Sequence, residues 1–67
     1  MNNLKVNGQY ECEGHSVTFL VSVDNTCIIK EMIISGRNVS STERTERLEI
    51  AREFQTKLIK LGYDKVS

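Results

Sequence analysis

The sequence predicts an α+β fold, a three-stranded antiparallel β-meander packed on one C-terminal α-helix (β-β-β-α). Three observations predict it. Apolar and polar residues alternate from Leu4 to Val23 through one turn at Glu13-Gly14. An isoleucine-rich run from Cys27 to Ser35 follows the turn signal Asp24-Asn25. Beyond about residue 41 the apolar spacing lengthens from the period of a strand to that of a helix.

The first two strands, about 4–12 and 15–23, define each other. Closing the chain on Glu13-Gly14 sets Cys12 opposite His15, Tyr10 opposite Val17, Gly8 opposite Phe19, Val6 opposite Val21 and Leu4 opposite Val23. Every pair then lies on one face, as a half-buried hairpin requires. A glycine opposite Phe19 leaves the ring room to lie across the neighbouring strand. Asn7-Gly8 is a rival turn signal, but a hairpin there leaves only Leu4-Lys5-Val6 as its first strand.

The third strand, about 27–35, has two facings, set by whether its loop holds two residues or three. The shorter loop turns Ile28, Lys30, Met32 and Ile34 toward the core; the longer turns Cys27, Ile29, Glu31 and Ile33 there. The first set is preferred, because a lysine stem can lie along the sheet with its head in water. A bulge near Lys30-Glu31 is the alternative.

Gly36-Arg37-Asn38 ends the strand, and Ser40-x-x-Glu43 reads as a capping box opening a helix of about 41–61. Ile50, Ala51, Phe54, Leu58 and Leu61 form its core stripe. Glu43–Arg47 and Glu53–Lys57 are favourable pairs one turn apart, and Gly62 is the stop signal. The whole of 1–67 makes a single domain.

Size and charge narrow the function classes. A chain of 67 residues buries only about 60% of the surface it exposes when unfolded, so a partner subunit would add useful stability. Nine basic residues balance nine acidic ones, which argues against a general binder of nucleic acid or membrane surface. No apolar run approaches the roughly 20 residues of a membrane span, and the N-terminus lacks the order of a signal peptide. A cytoplasmic location follows as the expectation. Cys12 and Cys27 would sit roughly 20–25 Å apart in the meander, beyond disulfide reach, and fit a reducing compartment.

Few residues suggest chemistry. Cys12 and His15 form a cross-strand pair able to supply half a zinc site, but no second such pair exists in the chain. The expected reading is a small thiol beside a solvated imidazole, with no metal, no cofactor, no catalytic residue and no small-molecule substrate. Arg37, Arg44 and Arg47, with Lys5, make the alternative site, a phosphate grip near the helix start. Glu43, Glu46, Glu49 and Glu53 are interleaved with those arginines and offset them. The preferred site is apolar: Ile29, Ile33 and Leu20 on the open sheet face, and Leu48 and Ile59 on a second helix stripe.

A three-stranded sheet backed by a C-terminal helix is similar in outline to the arm-type DNA-binding domain of tyrosine recombinases. It is also similar to double-stranded-RNA-binding domains lacking their first helix. The RNA-binding group carries lysines at its last helix start, where this chain reads Ser40-Ser41-Thr42-Glu43-Arg44. The recombinase arm has a basic sheet face, where this one offers Lys5 among neutral residues. The resulting expectation is a non-enzymatic protein-interaction module, a homodimer or the partner of another protein, with a composition that suits a phage or mobile-element accessory protein. Nucleic-acid binding is the alternative.

Overall fold

The computed structural model describes residues 5–22 and 24–66. It is an α+β fold with a five-stranded antiparallel sheet, in place of the expected three, and one C-terminal helix. The elements are β1 (Lys5–Cys12), β2 (His15–Val21), β3 (Thr26–Ser35), β4 (Asn38–Arg47), α1 (Leu48–Lys60) and β5 (Asp64–Lys65). The sheet order is β4-β3-β2-β1-β5. Among the described residues, no helix is long and apolar enough to cross a membrane.

The β1–β2 hairpin closes on Glu13-Gly14, with Cys12 opposite His15, Tyr10 opposite Val17 and Gly8 opposite Phe19, as expected. Both loop residues have positive φ, 45° and 80°, the conformation of a type I′ turn. Below Gly8 the register departs from expectation. Asn7 is an extra, bulged residue, so Val6 faces Leu20 and Lys5 faces Val21. Val6 is thereby turned away from the core. The expected pair of Leu4 with Val23 lies outside the described residues. Asn7-Gly8 thus makes a bulge where a rival hairpin was weighed. The space at Gly8 is used by the ring of its own neighbour Tyr10, whose Cε1 lies 3.0 Å from where a β-carbon would stand.

Strand β3 takes the facing that was not preferred. Phe19 pairs with Ile29 and Val21 with Cys27, so Cys27, Ile29, Glu31 and Ile33 point to the helix side. Ile28, Lys30, Met32 and Ile34 point to the open side. The connection decides this: the Ser22 N–H donates to the Thr26 carbonyl at 2.9 Å, leaving an odd number of residues between them. Asn25 takes the left-handed conformation there, and the Thr26 hydroxyl donates to Asp24 at 2.6 Å. Burying part of Glu31 is tolerable because His15 and Arg44 both contact its carboxylate.

The largest correction concerns residues 38–47. They form β4, paired with β3 without interruption from Ser35–Asn38 to Thr26–Arg47, and helix α1 starts only at Leu48. No apolar residue lies between Val39 and Leu48, so a helix there would have no face to bury. A strand there satisfies the outer edge of β3, and Thr42 and Thr45 suit it. Ser40 and Glu43 consequently make no capping box, and Glu43 meets Lys30 at 3.7 Å instead of Arg47 one helical turn away. The helix start is capped by backbone: the Leu48 N–H donates to the Asn25 carbonyl at 3.0 Å. Its end at Gly62 holds as expected, with Tyr63 and Gly62 N–H groups returning to the Leu58 and Ile59 carbonyls.

Helix α1 covers one face of the sheet. The core comprises Tyr10, Val17, Phe19, Cys27, Ile29, Ala51 and Leu58, with Val21, Leu48, Phe54 and Tyr63 packed around it. Phe19 is its centre, edge-on to Tyr10 at 5.7 Å and to Phe54 at 5.8 Å. Of the expected helix stripe, Ala51, Phe54 and Leu58 hold, while Ile50 and Leu61 are exposed. Leu48 joins the stripe because it stands one turn before Ala51.

Both cysteines are free thiols, Cys12 half-buried and Cys27 buried. Burial pushes the Cys27 thiol above its ordinary value of 9.0. An acid whose pKa is raised by folding stabilises the native state below its unfolded pKa, and that contribution is lost as pH rises through the folded value. We therefore expect a thiol reagent to modify Cys12 first, and stability to decline in alkali above the ordinary thiol range. Equal labelling of the two thiols in the native protein would contradict the packing of Cys27.

Candidate functional site

Two groupings stand out once the sheet is assembled. The first is polar and lies on the helix side, at the margin of the core. The Tyr63 hydroxyl and His15 Nδ1 are 2.6 Å apart, and His15 Nε2 lies 3.1 Å from Glu31 Oε1. Arg44 donates to the other Glu31 oxygen at 2.6 Å and lies 3.4 Å from Glu46. Its guanidinium also sits 5.2 Å above the Phe54 ring. Chain order explains the convergence: β2 brings His15, β3 Glu31, β4 Arg44, and the turn after α1 brings Tyr63.

The geometry of this chain of contacts is that of a clamp. The Tyr63 hydroxyl can donate to Nδ1 while the Nε2–H donates to Glu31, so both ring nitrogens meet protein groups. A general base keeps one nitrogen directed at the group it deprotonates. The cluster joins the segment following the helix to three strands of the sheet. Cys12 stands opposite His15 across the hairpin. Among the described residues, no three His, Cys, Asp or Glu side chains converge as a metal centre would need.

The second grouping is apolar and lies at the far end of the β3–β4 hairpin. Ile34 faces Val39 across the two strands, and Met32 stands two residues from Ile34 on the same open face. These three are 51%, 62% and 43% exposed respectively. Ile33, on the opposite face, is 51% exposed, so the helix does not reach it. The hairpin turn, Gly36-Arg37, extends past the end of β2, where the Ile34 N–H is held by the Gly14 carbonyl at 2.8 Å.

The structure scatters the residues expected to form an apolar surface. Ile29 is 1% exposed in the core, a correction that follows from the facing of β3. Leu48 is half-buried against the same core. Leu20 lies on the open face, between Val6 and Ile28. Ile59 is exposed on the outside of the helix, and Ile33 remains exposed beside the hairpin end. Met32, Ile34 and Val39 were not among the expected residues. Their signal was present in the isoleucine-rich strand, but it depended on facing.

The arginines are scattered too. A helix start near residue 41 would have gathered Arg37, Arg44 and Arg47; a strand spreads them. Arg37 sits at the hairpin turn and Arg47 at the other end of β4, about 33 Å along the strand. Arg44 is occupied by Glu31 and Glu46. Lys5 starts β1, three strands from β4 in the sheet order. Arg47 and Arg52 do border a cleft of about 600 Å³ at the helix start, together with Asp24 and Glu49. Its mixed charge offers no net attraction to phosphate.

No known protein family, curated protein or solved structure matches the chain.

Proposed function

We propose that the chain is a small non-enzymatic protein-interaction module that works as a homodimer. The observation that carries this reading is the uncovered apolar end of the β3–β4 hairpin, Met32, Ile33, Ile34 and Val39, within one short stretch of chain. A domain this small has few large side chains to spare. Exposing several together is the pattern of a surface that another protein covers. A second copy is the occupant that needs no further component, and the extra burial would offset the modest core. A role as a phage or mobile-element accessory protein agrees with the size and charge balance.

Sedimentation at tens of micromolar tests the reading. A dimer is expected, and the variant M32T/I34T/V39T should weaken association by about tenfold or more. Threonine keeps strand preference at these sites, so the fold should persist by circular dichroism. A wild-type monomer at that concentration with an intact fold would remove the proposal.

A further inference from the structure

Strand β4 ends the sheet, and among the described residues no strand pairs with the row of backbone groups on its outer edge. Natural edges are usually blunted by proline, by bulges, by shortness or by charged side chains, and of these β4 has only the charges, Glu43, Arg44, Glu46 and Arg47. This one runs for 10 residues in unbroken register, and the chain contains no proline. The geometry points to β4 as the seam of a homodimer, two copies pairing antiparallel about a two-fold axis at Thr45. The inference rests on the dimeric reading above and names its interface.

The backbone restricts the choices first. The two-residue turn makes Ser35–Asn38 a pair that exchanges both hydrogen bonds, and such pairs alternate along an antiparallel ladder. Asn38, Ser40, Thr42, Arg44 and Glu46 therefore bond inward to β3. The 3.0 Å bond from the Leu48 N–H to the Asn25 carbonyl continues the same phase. Val39, Ser41, Glu43, Thr45 and Arg47 direct their N–H and C=O groups outward. Two identical strands can exchange bonds only through this second set. The axis must then pass through a residue, and both helices fall on the same side of the joined sheet.

Charge then selects among the permitted axes. The segment Glu43-Arg44-Thr45-Glu46-Arg47 is antisymmetric in charge about its central threonine. With the axis at Thr45, Glu43 faces the partner's Arg47 and Arg44 faces the partner's Glu46, and symmetry repeats both contacts. Opposite charges thus meet on both faces of the seam. An axis at Glu43, Arg44 or Glu46 sets a charge against its own copy. An axis at Thr42 or Ser41 sets Glu43 or Arg44 against uncharged residues. The register at Thr45 pairs residues 43–47 of the two copies and leaves the rest of each β4, with Val39, past the end of the partner's strand.

Directly opposed residues of a bonded antiparallel pair lie about 5.5 Å apart at Cα, within disulfide reach. The test is oxidation of full-length T45C and, separately, E43C, each in a C12S background, read on non-reducing gels. T45C should form a covalent dimer in high yield and E43C only a trace. A second arm mixes two charge variants. R47E and E43R, which leave the Arg44 cluster intact, should each associate at least about tenfold more weakly than the wild type, and an equimolar mixture should recover the dimer. Cross-linking through E43C in preference to T45C, or a mixture that stays monomeric, would overturn the seam. A wild-type dimer with no T45C cross-link would overturn the seam and leave the dimeric reading standing; a wild-type monomer would remove both.

Discussion

Phe19→Ala is expected to abolish cooperative folding at room temperature, or to leave a barely stable domain. Phe19 has no exposed surface and holds the only contact that links the ring of Tyr10 on β1 to that of Phe54 on the helix among the described aromatic pairs. Truncating a buried phenylalanine costs about 3–5 kcal/mol, since the cavity adds to the lost transfer energy. At about 0.05–0.15 kcal/mol per residue, a domain of this length has roughly 3–10 kcal/mol in all. Loss on that scale consumes most of the margin. Val6→Ala is the control, because Val6 lies on the open face beyond the bulge, and its effect should stay within about 0.5 kcal/mol. Urea unfolding followed by circular dichroism measures both. A Phe19→Ala midpoint close to that of the wild type would show that the helix is not seated on this ring.

The next largest effect is expected at Gly14. A β-carbon there would stand 2.8 Å from the carbonyl oxygen of Ile34, a backbone atom that cannot swing aside, and φ is +80°. The Gly14 carbonyl itself accepts from the Ile34 N–H, so the β1–β2 turn is fastened to β3 at this point. Gly14→Ala thus combines left-handed strain with overpacking, together about 2–4 kcal/mol. Gly36, at the other hairpin turn, also has positive φ but no atom within 4 Å of its β-carbon position. Gly36→Ala should show the strain alone, about 1–2 kcal/mol. Thermal midpoints of the two variants give the comparison. Equal losses would mean that the fastening of Gly14 to β3 is not rigid.

These positions also mark how far the fold was legible from sequence. The β1–β2 turn and its register down to Gly8 could be read because closing on Glu13-Gly14 keeps Cys12, Tyr10, Val17 and Phe19 on one face, with Gly8 opposite the largest ring. The helix could be read from Leu48 onward, where apolar spacing begins, and its end from Gly62. Strand β4 left no such trace: an edge strand exposed on both faces has no apolar period, and Ser40 with Glu43 suits a helix start equally well. The facing of β3 turned on one residue more or less in a short loop, and every side chain of the strand changed sides with it. The bulge at Asn7 reversed Val6 in the same way. The dipeptide strand β5 is too short for any periodicity.

The candidate surface inherited those errors. Ile29 and Ile33 were grouped as one open-face pair, yet one lies under the helix and the other beyond its reach. Leu48 looked surplus to a helix of about 41–61, but a helix that begins there needs it as the first residue of the core stripe. The hairpin end escaped notice because its apolar residues become a surface only when Val39 is folded back beside Ile34. That pairing belongs to a strand the sequence pattern did not distinguish from helix.

The two margins of the sheet are not alike, and this bears on how far assembly can go. Opposite β4, the rim of β1 is overlaid by Asp64–Lys65, the Val66 N–H is tied to the Gln9 carbonyl at 2.8 Å, and the stretch below is kinked at Asn7. A molecule that accepts neighbours along both rims polymerises into ribbons; one with a single receptive rim stops at a pair. On the proposed β4 seam, the few residues after the helix would act as a chain terminator, guarding against fibre growth.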